Sequence, residues 1–268
     1  MGKNTTVFLE ANAGATDDFA KTLNSYIDGD GGSGALSNFG TRNPIYYYAS
    51  GSGLGLRHEF GNNLELSLGY LASTGATPGN SSGLFNGAQV AIAQLVVKPS
   101  EQFNLGLYYI NAYNTDNGTG SLNSNLVRAT GGRVVTNSYG VGASFQVSPQ
   151  FTINGWAGYT AARVINTGDA DIWNYAVTLA FPDLGKEGNL AGIVVGMEPK
   201  VAGISNAITL ATGVSTDRDT SLHIEGFYQY KINDNISITT GLIWLTAPNH
   251  DERNSDVVIG TIRTTFAF

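Results

Sequence analysis

Apolar and polar residues alternate with a period of two through most of the chain, the spacing of a β-strand with one face in an apolar medium. The last stretch, Asp256 to Phe268, is the clearest case. Val258, Gly260, Ile262, Thr264, Phe266 and Phe268 share one face, and Val257, Ile259, Thr261, Arg263, Thr265 and Ala267 the other. A strand that closes on Phe-Ala-Phe predicts a terminus held in apolar surroundings, since ends facing water are usually polar and frayed. A lipid bilayer meets that requirement, and an ordinary sandwich edge strand is the alternative.

The same pattern recurs upstream. Asn4 to Ala11 is a short alternating run, and Asn12 to Asn43 is a long polar stretch that reads as an external loop. Pro44 to Phe60 sets Leu54, Leu56 and Phe60 against Gly51, Gly53, Gly55, Arg57 and Glu59. After Gly61-Asn62-Asn63, Leu64, Leu66, Leu68, Tyr70 and Ala72 form the next apolar face. A three-residue turn fixes the pairing, so Glu59 is expected near Glu65 and Arg57 near Ser67. Further strands are predicted over 87–98, 103–113, 133–147, 151–159, 171–181, 189–197, 220–232 and 236–244, with Tyr139 opposite Tyr159 and a polar wall pairing Gln146 with Thr152 and Ser144 with Asn154.

That makes twelve strands. Their connections alternate between short (61–63, 99–102, 148–150, 182–189, 233–235) and long (12–43, 75–86, 114–132, 163–170, 198–219, 248–255). A sandwich has no reason to sort its connections by length, whereas outer-membrane barrels have short periplasmic turns and long external loops. The expected fold is all-β, an antiparallel transmembrane β-barrel of about 12 strands with both termini on the periplasmic side.

Composition agrees. Gly is 35 of 268 residues, the charged fraction is 13% and aromatics are 10%. No run approaches the roughly 18–20 apolar residues of a spanning helix, which leaves a closed barrel as the way to cross a bilayer. A net charge of -7 argues against a nucleic-acid partner. The absence of cysteine removes disulfides and thiolate metal sites. Met1-Gly2-Lys3-Asn4 runs straight into polar residues, so no signal peptide is expected at this start.

Asp28 to Ser37, Phe39-Gly40-Thr41-Arg42-Asn43-Pro44-Ile45-Tyr46-Tyr47, Phe181 to Leu190 and Gly260 to Phe268 together resemble the cyanobacterial major outer-membrane porins. These are members of the carbohydrate-selective OprB-like group, often named iron uptake porins. The resemblance implies an integral outer-membrane porin passing small hydrophilic solutes or inorganic ions, iron or sugars among them, and leaves room for a homo-oligomer such as a trimer. It also implies a barrel of sixteen strands behind a signal peptide and an S-layer-homology domain. By that measure residues 1–268 are one barrel unit, truncated at its N-terminal side.

Charged residues on the polar faces are the candidate pore lining: Arg57, Glu59, Glu65, Lys98, Glu225, Lys231 and Arg263. Such rings tune ion selectivity. Arg57 and Arg263 are expected to project into the lumen and favour anions. Asp28-x-Asp30-Gly31 has the start of a calcium loop but no acidic residue at its far end, so a plain glycine-rich loop is the preferred reading over calcium. His58, His223 and His250 have no partner at metal-ligand or triad spacing. No catalytic residue and no cofactor are expected. Gly79-Asn80-Ser81-Ser82-Gly83 matches a nucleophile motif but lacks the strand-to-helix elbow it needs. An outer-membrane phospholipase would need a strand-borne His-x-Ser, and neither His58 nor His223 supplies it. A structural or receptor barrel without a conducting lumen is the third alternative.

Overall fold

The alternation is realised as one long antiparallel sheet in the computed structural model, which describes residues 4–29 and 32–268. Its strands in chain order are β1 (Thr5–Ala15), then, after a two-residue hairpin of β2 (Asp28–Gly29) and β3 (Ser33–Gly34), β4 (Ser50–Phe60), β5 (Leu64–Ala72), β6 (Gln89–Val97), β7 (Phe103–Tyr113) and β8 (Val134–Ser148). β9 (Phe151–Val164), β10 (Gly168–Pro182), β11 (Leu190–Ile204), β12 (His223–Asn233), β13 (Ile236–Leu245) and β14 (Val257–Phe266) complete it. Apart from the small hairpin, each strand pairs with the next in sequence, giving a 12-stranded sheet. Among the described residues no ladder joins β14 to β1, so the expected closed barrel is a curved sheet with two unpaired edges.

The register matches the period-two reading. Arg57 faces Ser67 and Glu59 faces Glu65. Tyr139 faces Tyr159, Ser144 faces Asn154 and Gln146 faces Thr152. One face carries the exposed large apolar residues, among them Leu54, Leu68, Leu107, Val141, Val177, Leu242 and Ile262. The opposite, concave face carries buried polar residues such as Ser67, Gln94, Thr178, Glu225 and Thr239. This arrangement is apolar outside and polar inside. Tyr109, Tyr139, Tyr159 and Trp173 form a continuous aromatic row on the outer face, with successive centroids 5.4, 6.3 and 4.7 Å apart.

Trp173 and Trp244 are exposed outward, while Trp156 is 8% exposed and lies on the concave side against Phe39. Lipid-tethered bromine is therefore expected to quench Trp173 and Trp244 and to spare Trp156. Quenching confined to Trp156 would reverse the faces.

Several sequence expectations need correction, one being that β11 runs to Ile204, well into the predicted loop 198–219. The predicted loop 163–170 shrinks to residues 165–167, because β9 and β10 run to Val164 and from Gly168. Pro44–Tyr48 is a 3₁₀ turn, with Pro44 in its first turn and the Asn43 side chain accepting from Ile45 N. These features pre-set a turn where the aromatic run suggested a strand. The polar stretch 12–43 is only in part a loop, since β1 extends to Ala15 across an irregularity between Glu10 and Gly14. Its remainder does not project outward.

Candidate permeation site

The segment 16–49 folds back onto the concave face. It contains α1 (Thr16–Phe19), the β2/β3 hairpin, α2 (Asn38–Thr41) and the 3₁₀ turn. It touches strands at both edges of the sheet, which requires the sheet to wrap around it. Near β4 and β5, Arg57 Nε donates to Phe19 O (2.8 Å) and Nη2 to Asp18 O (3.0 Å), while Ser67 Oγ donates to Phe19 O (2.9 Å). Further round, Gln94 Nε2 donates to Lys21 O (2.8 Å), Asn43 Nδ2 to Ala157 O (3.2 Å) and Thr178 Oγ1 to Asn24 Oδ1 (2.9 Å). At the far edge, Arg263 donates to Ala35 O (2.9 Å) and Gly34 O (2.8 Å), and Thr265 Oγ1 to Gly32 O (2.5 Å). The wall thus supplies side-chain donors for the segment's Asp18, Phe19, Lys21, Gly32, Gly34 and Ala35 carbonyls, and Asn43 returns one to the wall at Ala157 O.

Glycines in the wall let the segment approach. A Cβ at Gly55 would lie 2.4 Å from the Phe19 ring and one at Gly69 2.1 Å from it. Phe19 is fully buried in the slot they leave, in a cluster with Ile45, Tyr46, Tyr108 and Ile110. Asn24 ties the segment's two limbs together through Thr41 O (2.7 Å) and Gly40 O (3.2 Å). Residues 114–125 also fold inward, as Asn117 reaches Tyr48 Oη (3.5 Å) and Gly120 N donates to Glu198 Oε2 (2.9 Å).

The segment turns another face to a recess of about 580 Å³ lined by Asp17, Asp18, Asn38, Thr41, Arg42 and Tyr47, among others. Arg42 pairs with Asp17 and, at 2.6 Å, with Asp28. Burial alone would depress its guanidinium, yet the Asp28 and Asp17 carboxylates hold it above its ordinary value. Its charge sits 5.7 Å over the Tyr47 ring. Carboxylates, a guanidinium, an amide, a hydroxyl and an aromatic ring border one polar space. Asp28 also accepts from Thr22 Oγ1 (2.5 Å), so its oxygens serve Arg42 and Thr22, which argues against the calcium loop. Asp30 lies outside the described residues.

Register puts six of the seven candidate lining charges on the concave side, and Lys98, just past β6, joins them through Glu65; they fall in three environments. Arg57, Glu225 and Arg263 bind the inner segment; Glu225, fully buried, accepts from Leu36 N (2.5 Å) and Ser37 N (3.3 Å). Arg57, Glu225 and Arg263, expected from the sequence to line the pore, point inward but are spent on the inner segment. Glu65 bridges Arg57 (3.7 Å) and Lys98 (3.6 Å). Glu59 is exposed near the short-turn end, where the half-buried Lys231 pairs with Asp234 (2.8 Å). His58 lies on the outer face against Phe60. His223 is buried on the concave side between Glu198 and Glu225, a partnership that sequence spacing did not reveal. Ser37 Oγ, His223 and Glu198 stand in line at 3.1 and 2.8 Å, the order of nucleophile, base and orienting acid. Ser37 Oγ, however, donates to Glu225 and caps Gly40 N (2.9 Å), which makes it an anchor.

Residues 1–268 match the carbohydrate-selective porin, OprB family. The chain belongs to that family. It is 33% identical to an uncharacterized protein of Nostoc sp. over 98% of the chain and 48% of the relative, and 32% identical to one of Synechocystis sp. over 94% and 49%. The chain thus spans about half the length of the curated relatives it matches. Among solved structures it resembles the anion-selective porin from Comamonas acidovorans (TM-score 0.57, 12% identity, 92% of this chain and 65% of that one). It also resembles OprB of Pseudomonas putida (TM-score 0.53, 16% identity, 82% and 59%). At these identities the likeness is one of fold, and it places the OprB-family sheet among porin sheets.

Proposed function

We propose that the chain is part of an outer-membrane porin through which small hydrophilic solutes diffuse passively, past the recess beside the inner segment. The observation that carries this reading is the 16–49 segment, fixed across the concave wall with a mixed polar and aromatic border on its other side. Hydroxyl-rich solutes such as sugars suit that border, because Asp, Asn and Arg exchange hydrogen bonds with hydroxyls while an aromatic ring meets C–H faces. Inorganic ions, iron included, would meet Asp17, Asp18 and Arg42 there. The seven candidate lining charges contribute through the field they set up, Glu59, Lys98 and Lys231 most directly at the short-turn end.

A bilayer tolerates no unpaired strand edge. The free edges of β1 and β14 are thus expected to pair with further strands of the full-length protein, or with each other, in the membrane. The test is planar-bilayer conductance of the full-length protein together with liposome swelling in sugars of increasing size. Conductance with swelling that stops at a size limit is expected. Well-folded protein that neither conducts nor admits sugar would replace the porin with a structural or receptor barrel.

A further inference from the structure

His223 stands where two inward-folded segments meet the β11–β12 wall. Its Nδ1 lies 2.8 Å from Glu198 Oε1, and its Nε2 lies 3.3 Å from Glu225 Oε2. Carboxylates only accept, so both contacts are made together only by a ring that carries both protons. Each carboxylate in turn holds one segment. Glu225 takes the amides of Leu36 and Ser37 and the Ser37 hydroxyl, and Glu198 Oε2 takes the amide of Gly120. The ring is 2% exposed and packs 5.0 Å from Phe39, a residue of α2 in the same inner segment.

The surrounding charges leave this pairing intact. On β11, Lys200 donates to Thr220 Oγ1 (3.0 Å). On β14, Arg263 feels the Glu225 charge but spends its guanidinium on the carbonyls of Gly34 and Ala35. Asp217 accepts from Ser121 Oγ and Val201 N, both at 2.7 Å. Burial pushes His250 below the ordinary imidazole value. Its neutral ring accepts from Ser221 N (2.8 Å) and reaches Glu198 O (3.2 Å).

We propose that His223 is a proton-linked latch: doubly protonated, it fastens residues 34–40 and 117–121 to one point of the wall, and on losing a proton it lets the Ser37 end go. When the Nε2 proton leaves for lumen water, a lone pair faces Glu225 Oε2. The Ser37 hydroxyl, 3.1 Å from that nitrogen, then has a new acceptor and can turn its proton from Glu225 to the ring. Glu225, wholly buried, loses two donors at once, and the amides of Leu36 and Ser37 are left on a carboxylate whose charge is less compensated. The sign follows: the latch is fastened at low pH and loosens as pH rises through the titration of the ring.

The proposal goes beyond the porin reading, and its main readout does not depend on conduction. Hydrogen exchange of the full-length protein in phospholipid vesicles would give protection factors, corrected for intrinsic rates, for peptides covering 34–40 and 117–121 at about pH 5 and about pH 8. A fall of about tenfold or more at the higher pH is expected in the 34–40 peptide, with 117–121, still held through Glu198, and the β8–β9 hairpin unchanged. His223→Gln, which keeps one donor end at either pH, should abolish the difference. Glu198→Gln, which removes one carboxylate from the ring, should move the step to lower pH. Equal protection at both pH values in the parent, or an undiminished step in His223→Gln, overturns the latch, whatever the conductance. A pH-dependent conductance that disappears in His223→Gln would tie the latch to the permeation path.

Discussion

Gly69→Ala is expected to unseat Phe19 and to destabilise the folded chain by about 2–4 kcal/mol, the cost of overpacking a core slot and displacing a buried aromatic ring. The new Cβ would sit 2.1 Å from Phe19 Cε2 and Cζ, and the strand cannot yield, because Gly69 is held in register between Gly55 and Ile92. The ring has little room to shift, since it is packed among Ile45, Tyr46, Tyr108 and Ile110 and lies equally close over the paired Gly55, where an added Cβ would come within 2.4 Å of it. Unfolding in urea from detergent micelles measures the loss. The double variant Gly69→Ala with Phe19→Ala should lose less than the sum of the two single changes, by about 1–3 kcal/mol, because one ring is charged to both. Strict additivity would mean that Phe19 does not occupy the slot.

Arg263→Ser should free the 32–36 end of the inner segment. Its guanidinium donates to both Ala35 O and Gly34 O, and hydrogen bonds from charged donors contribute about 1.5–3 kcal/mol each. Arg57→Ser should have a smaller effect, since Phe19 O keeps the Ser67 hydroxyl. The expected result in bilayers is a larger and noisier conductance for Arg263→Ser, partly restored by Arg263→Lys. The shift toward cations anticipated from the sequence comes second to this release. A quiet, parent-like conductance in Arg263→Ser would remove the arginine from the anchoring of the segment.

The two variants probe what the sequence concealed. Register was legible because period two and a short turn determine it together, as Glu59 with Glu65 and Tyr139 with Tyr159 attest. The place of 16–49 was not, because its anchors lie far along the chain: Glu225 is 189 positions from Leu36, and Thr265 is 233 from Gly32. A signal did exist in Gly53, Gly55 and Gly69 on the inward face, since a strand glycine often marks close approach by another backbone or ring. Residues 163–170 misled for a different reason. Asn166, Gly168 and Asp169 have the composition of a loop, yet Gly168 and Asp169 lie on β10, whose outer face is polar there.

That polarity has a consequence for the waterline of the molecule. β8 to β11 are 14–15 residues long, against 9–11 for β4 to β7. At roughly 3.3 Å per residue they exceed an apolar band about 25 Å tall even when tilted. The aromatic row through Tyr139, Tyr159 and Trp173 is where the outer face changes from apolar to polar. Beyond it stand Asn137 and the Arg163–Asp169 pair (2.7 Å), in a region whose charges would be costly in hydrocarbon. The sheet therefore rises above the membrane on this flank as a parapet closed by the tight 165–167 connection. In the proposed porin, the mouth at this end would have one wall of hydrogen-bonded strand that keeps its shape and other walls built of loops. An antibody or phage tip that grips residues 133–137 and 161–171 would hold the molecule by its stiff side and leave the loop-built side free to move.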